Sequence, residues 1–294
     1  MCTMKKKFQM IGFALSVLLV TLPVVTVGAD NAASGKQKKE KTTESALGVK
    51  PVTGSWINLA YKDVRNKYTN PQSFDNMDPK LWEAKVRELS AMGIGYLVLM
   101  EVANEGKSYY PSQIMPWWYN KDKKSPVDAI LDEAAKHNMK IFMSSGWAKD
   151  QDDNLLDPAI KERQLRIMEE LASLYKNHKA FYGWYLPVED CLCPIFAEHA
   201  VQSVNTLSEK AKKLAPGKKT LISPYGIGLS EFDNPEYEKQ MQKLKVDIIA
   251  YQDEVGCVRD QFTLPRLKKN WQRLRDIHNR LNIEMWANCE TFTW

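Results

Sequence analysis

The chain is poor in histidine and cysteine, and beyond its first fifty residues it has no excess of either charge. Four histidines, none in an H-E-x-x-H arrangement, give little support to a metal-dependent hydrolase. Five cysteines in 294 residues are too sparse for a disulfide scaffold. The formal charge of +5 arises near the N-terminus, where Lys5, Lys6 and Lys7 precede five further lysines set against Asp30, Glu40 and Glu44. The rest of the chain is neutral, and a neutral body has no basic face of the kind that nucleic acid requires.

Only one long apolar run is present, Ile11 to Val27, broken late by Pro23. Three lysines before it and the small residues Val27-Gly28-Ala29 after it read as a secretory signal over 1–29, cleaved after Ala29. The run is almost long enough to span a bilayer, so an uncleaved N-terminal anchor is the competing reading. Cys2 lies ahead of the basic residues, which disfavours a lipoprotein signal. Residues 30–52 are polar, charged and without apolar period, as in a solvated tether. Residues 53–294 then suffice for one domain, and the expected location is exported, periplasmic or extracellular.

Within that domain, short apolar runs alternate with helical patterns, which indicates parallel β/α units. The expected strands are Ser55 to Tyr61, Gly95 to Val102, Lys140 to Ser145, Phe181 to Pro187, Thr220 to Pro224, Asp247 to Gln252 and Ile283 to Ala287. Their nearly continuous apolar character suits burial on both faces. Asp78-Pro79, Ser125-Pro126, Asp157-Pro158 and Asn234-Pro235 each place a capping side chain before a proline at the first helical position, where its missing N–H costs nothing. Seven strands and six connecting helices predict an α/β fold, a (β/α)8-type TIM barrel whose sequence stops before an eighth strand. The helix-to-strand returns are short and the strand-to-helix loops long and aromatic, which marks the C-terminal ends of the strands as the working face.

Two carboxylates end strands on that face, Glu189 after the fourth and Glu290 after the seventh. A pair of carboxyls across a barrel mouth is the minimum apparatus for cleaving a glycosidic bond, and about 5 Å between them gives retention. Glu189 would serve as acid and then base, and Glu290 as nucleophile; no cofactor is required. Each could equally be a loop-anchoring residue. Asp253 and Glu254 form a second acidic pair after strand six. Adjacent residues of an extended chain point oppositely, and Asp253 is the one expected to face the pocket. Sugar rings pack flat C–H faces on aromatic rings, so Trp117, Trp118, Trp147 and Trp286 are candidate platforms, with Trp117 and Trp118 equally suited to pinning their loop. Tyr225 and Asn288 are candidate hydroxyl partners.

The segments GWYLPVE, LISPYG, AYQDEVG and MWANCETF, in this order and spacing, resemble a family of secreted bacterial β/α-barrel proteins of unassigned function that is grouped with glycoside hydrolases. The likeness runs from about Gly54 to Trp294 and implies a glycosidase-like barrel acting on carbohydrate. More distantly the chain resembles the clan A retaining glycosidases, which carry the acid/base after strand four and the nucleophile after strand seven. That clan places Asn immediately before the acid/base, and here the position holds Val188. A barrel that binds carbohydrate in an aromatic cleft without cleaving it therefore stands as the alternative. Cys191, Cys193, Cys257 and Cys289 fall after strands four, six and seven, which leaves disulfides, buried thiols and a structural zinc site as open readings.

Overall fold

The computed structural model describes residues 18–21, 51–59, 78–104, 106–146, 155–256 and 263–291. The leader and tether fall outside these apart from the backbone of Leu18–Thr21 and the tether's last two residues, as do Trp147 and Cys257. Strands are β1 (Leu18–Thr21), β2 (Gly54–Ile57), β3 (Tyr96–Leu99), β4 (Ala103–Asn104), β5 (Lys107–Ser108), β6 (Lys140–Ser144), β7 (Phe181–Tyr185), β8 (Lys219–Ile222), β9 (Ile248–Gln252) and β10 (Glu284–Cys289). Helices are α1 (Pro79–Ala91), α2 (Pro126–Lys136), α3 (Pro158–Tyr175), α4 (Glu198–Leu214), α5 (Pro235–Lys243) and α6 (Leu264–Leu281).

Seven strands, β2, β3 and β6 to β10, pair in parallel in chain order. All seven were legible as apolar runs. Between β2 and β10 lies β1, antiparallel to both, so the strand that closes this barrel comes from within the run read as a leader. No helix of the described residues is long and apolar enough to cross a membrane.

The helices begin where the proline signals place them. The side chains of Asp78, Ser125, Asp157 and Asn234 accept from the backbone N–H groups of Lys80, Asp128, Ala159 and Glu236. Each satisfies a donor that the helix itself leaves open. Helix α4 has no capping side chain of its own at Ala197. The Asp190 carboxylate, arriving from the loop after β7, accepts from the Ala197 N–H at 3.2 Å instead.

The core has two layers. Trp56, Val98, Phe142, Tyr185, Leu221, Ile248, Ala250 and Trp286 fill the barrel interior, while Leu97, Ile141, Trp184, Ile222, Ile249 and Tyr251 face the helices. Because side chains alternate across a strand, the first set fixes which residues further along each strand point inward. At the N-terminal ends of the strands a cavity of about 300 Å³ opens between Asn138, Lys140, Lys179, Tyr182 and Lys218. Two of its three cations are engaged: Lys140 donates to the Tyr96 hydroxyl at 3.1 Å and Lys218 lies over the Phe181 ring.

Under the helices, His278 is 3% exposed, with Nε2 2.9 Å from the Tyr251 hydroxyl and Nδ1 2.9 Å from the Ile283 carbonyl. Burial lowers its pKa from 6.5 to about 4. The folded state therefore resists protonation, and the stability this provides is complete above pH 6.5 and lost as pH falls through 4. Its size is about 3 kcal/mol. Urea midpoints measured against pH should show a steeper acid loss for the wild type than for His278→Asn; parallel curves would contradict the assignment.

Candidate functional site

Continuing the inward alternation past the strand ends leads from Tyr185 to Glu189, from Leu221 to Tyr225, from Ala250 to Glu254 and from Trp286 to Glu290. The contacts at each strand end are as follows. The Tyr185 hydroxyl donates to Glu189 Oε1 at 2.9 Å. Burial first, and then the Glu189 carboxylate, hold this phenol well above its ordinary pKa, so it stays a donor throughout the physiological range. It also packs edge to face on Trp56. Tyr225 is pushed up to about 12 by burial and then by Cys191, Asp190, Glu189 and Glu254, which places its hydroxyl in the field of carboxylates from both β7 and β9.

The loops after β7 and β8 are stitched together. Leu192 N–H donates to the Tyr225 carbonyl at 2.8 Å and Tyr225 N–H to the Asp190 carbonyl at 3.2 Å. Gly226 comes next with φ of +87°, and a Cβ there would lie 2.8 Å from Cys191 Sγ and 3.1 Å from the Leu192 nitrogen. Only glycine meets both conditions.

After β10, Glu290 is held at two points. Its N–H donates to Asp253 Oδ1 at 3.0 Å, and its Oε2 accepts from the Gly256 N–H at 2.8 Å. Asp253 Oδ1 also accepts from Val255 N–H at 3.2 Å, and the Cys289 thiol donates to the same carboxylate. Asp253 is thus a strut that fixes the backbone of Glu290, and the inward position expected for it belongs to Glu254. Glu254 is 9% exposed and has a left-handed backbone, φ 53°, a region that non-glycine residues seldom occupy. Its Oε2 accepts from the N–H groups of Gly226 at 2.6 Å and Ile227 at 3.1 Å. Burial chiefly, with the Glu290 charge as the largest carboxylate contribution, raises its pKa to about 7.

Three further candidates fall elsewhere. Trp286 is 1% exposed, packed edge to face on Tyr96 and Phe142, with its indole N–H on Glu284 at 2.8 Å. It is barrel core rather than a sugar platform, because its parity is inward but its level is below the mouth. Trp117 and Trp118 staple their loop. Their indole N–H groups donate to the Ser112 and Asn104 carbonyls, and their rings stack on Tyr119 and Tyr109. Glu170 of α3 anchors the same loop by accepting from Tyr110 Oη at 2.8 Å, Ser112 Oγ at 2.6 Å and Gln113 N–H at 2.6 Å. Asn288 is buried beneath Glu290 and donates to Ser223 Oγ at 2.9 Å.

Glu101 went unmarked in the sequence although a lone carboxylate inside the apolar run Gly95 to Val102 is a signal in itself. It is fully buried, accepts from the Leu59 N–H at 3.2 Å, and its charge reaches Tyr185. Cys191, Cys193 and Cys289 are free thiols. Among the described residues no three His, Cys, Asp or Glu side chains are grouped to hold a metal ion.

A protein of solved structure shares this architecture. A crystal structure from Bacteroides thetaiotaomicron VPI-5482, provisionally assigned as an α-L-fucosidase, superposes with a TM-score of 0.62 at 18% identity, over 88% of this chain and 79% of its own. The intracellular xylanase TsXylA of Thermoanaerobacterium saccharolyticum JW/SL-YS485 gives 0.45 at 16% identity, over 71% and 69%. A glycoside hydrolase family 5 protein of Bacteroides vulgatus ATCC 8482 gives 0.47 at 12%, over 71% and 44%. At such identities the first likeness speaks for the fold alone, a β/α barrel. No curated protein sequence matches significantly. The model of a domain of unknown function, DUF4434, matches residues 52–294, and the chain belongs to that family.

Proposed function

We propose that the protein is an exported glycoside hydrolase that cleaves an oligo- or polysaccharide by double displacement with retention. Glu189 protonates the glycosidic oxygen while the Glu290 carboxylate attacks the anomeric carbon and forms a glycosyl ester. Glu189, now ionised, takes a proton from the water that hydrolyses the ester, and both carboxyls return to their starting states. What supports this reading is that the carboxylates following β7 and β10 are both held by fixed partners, Glu189 by the buried Tyr185 phenol and Glu290 by the Gly256 amide and the Asp253 strut. Preorganised partners of this kind are what a displacement needs, since they hold the groups before substrate arrives.

The alternative, a barrel that retains glycan without cleaving it, draws on Val188. That side chain packs against the outer core and offers a sugar hydroxyl no hydrogen bond. Incubating the protein with a panel of aryl glycosides and glycans separates the two: turnover supports the hydrolase, and retention on a glycan affinity gel without turnover supports the binder.

Export is part of the proposal. Cleavage after Ala29 removes Leu18–Thr21 and uncovers the edges of β2 and β10 that pair with it. The intact mass of the secreted protein should correspond to a chain starting at Asp30; a secreted or membrane-held chain that retains its first 29 residues would overturn the leader reading.

A further inference from the structure

The N-terminal ends of the strands, opposite the mouth, form a second concave site that the hydrolase reading leaves unused. Strands β6, β7 and β8 are consecutive neighbours in the barrel, about 4.8 Å apart, and each begins beside a lysine. Lys140 is the first residue of β6, Lys179 lies just before Phe181 of β7, and Lys218 adjoins Lys219 of β8. Strand pairing therefore gathers three ammonium groups around the cavity of about 300 Å³, a volume at the lower end of small-molecule sites. Among the described residues no acidic side chain lines it. What holds the cations is neutral. The Lys140 ammonium lies 4.7 Å from the centre of the Tyr182 ring and 5.0 Å from that of Tyr96, and it donates to the Tyr96 hydroxyl. Lys218 donates to the Phe181 carbonyl and lies 5.1 Å from the centre of that ring. Rings and carbonyls fix a cation without cancelling its charge. Among the described residues none of the three lysines forms an ion pair, whereas Lys124, Lys136, Lys210 and Lys245 do so elsewhere. Burial lowers the Lys218 pKa with no carboxylate to offset it. Glu284, whose charge reaches Lys140, accepts from the Trp286 indole instead. The Lys179 ammonium, the Asn138 side-chain amide and the Tyr182 hydroxyl also line the cavity, and among the described residues they make no hydrogen bond. Fixed positive charge without a counter-ion, set beside unused donors, is the complement of an oxyanion.

We propose that this cavity binds a phosphate or sulfate group, free or carried on a small molecule, with Lys140, Lys179 and Lys218 as its cations and Tyr182 and Asn138 as further donors. Lysine suits such a group because its compact charge carries three donors that turn to meet several oxygens. A carboxylate, with one charge and two oxygens, leaves part of this set unmet. Lys179 is exposed and closes on the anion from the rim. The site lies at the far end of the barrel from Glu189 and Glu290, so the proposal does not depend on the reaction at the mouth.

Titration calorimetry of the full chain tests this, at a constant ionic strength of about 0.15 M with chloride as the only other anion, so that screening is the same throughout. The probes are inorganic phosphate, inorganic sulfate, glucose 6-phosphate and glucose 6-sulfate, with glucose as the neutral reference. At least one of the four anions should bind one to one, and glucose should not. Lys179→Gln alters an exposed side chain and leaves the packing alone. It should weaken that binding about tenfold, the worth of one charge-assisted hydrogen bond, and Lys218→Gln should weaken it at least as much. Lys80→Gln, at an exposed lysine of α1, should change nothing. Tighter binding of an ester than of the free ion identifies an esterified ligand, and equal or tighter binding of the free ion identifies the ion itself; either sustains the site. Absence of saturable binding for all four anions overturns it, as does equal binding of glucose. A loss in Lys80→Gln as large as that in Lys179→Gln, or binding untouched by both Lys179→Gln and Lys218→Gln, overturns it as well.

Discussion

Glu290→Gln is expected to lower kcat/KM on aryl glycosides by at least about a thousandfold, because it removes the atom that forms the glycosyl ester and leaves the rest of the mouth in place. Glu189→Gln should behave differently. On substrates with poor leaving groups it loses on the order of a hundredfold or more, the usual worth of a general acid. On dinitrophenyl glycosides, whose leaving oxygen needs no proton, the first step should be nearly normal and the glycosyl ester should accumulate. The double variant should be little worse than Glu290→Gln alone, since residues acting as one unit do not add. Equal small losses in both single variants would place the two glutamates outside the chemistry.

Gly183→Ala is expected to be the most damaging small substitution in the barrel, costing about 3 kcal/mol or preventing soluble expression. A Cβ at Gly183 would stand 2.6 Å from the Lys219 carbonyl oxygen and 2.6 Å from Phe142 Cε1. One obstacle is backbone of the neighbouring strand and the other a ring wedged in the barrel interior, so neither can move aside cheaply. The site also adjoins the register shift between β6 and β7, where Ile141 and Phe142 face Phe181 and Gly183. Gly95→Ala serves as control, because its nearest atom is the Thr53 oxygen at 3.9 Å. If urea midpoints of the two variants match, close packing at Gly183 is not what the geometry indicates.

Much of this fold could be read from the sequence, and the reason is local. A capping side chain followed by proline fixes where a helix starts regardless of what it packs against, so the starts of α1, α2, α3 and α5 were legible. Strands buried on both faces are equally easy to find. That same property hid their orientation. Ile248, Ile249, Ala250 and Tyr251 are all buried, so the run carries no alternation from which to decide whether Asp253 or Glu254 turns inward. Trp286 was misplaced for a related reason: its inward parity agrees with a site residue, and only the level along β10 distinguishes the mouth from the core.

Loop residues were legible as composition but not as contacts. An aromatic cluster such as Trp117, Trp118 and Tyr119 looks the same whether it presents faces to a sugar or stacks on its own loop. The deciding groups lie far away in sequence, above all Glu170 on α3, whose carboxylate gathers three donors from residues 110–113. Glu254 had no local signal either. Its partners, the amides of Gly226 and Ile227, become neighbours only when β8 and β9 pair.

The central claim is that Glu290 becomes covalently bound to the sugar. Incubation with a 2-deoxy-2-fluoro glycoside bearing a good leaving group slows breakdown of the ester, and the intact mass followed by peptide mapping then locates it. The account predicts one glycosyl unit per chain, on the peptide that contains Glu290, and none in Glu290→Gln. A label on another carboxylate, or steady turnover with inversion and no label, would contradict it.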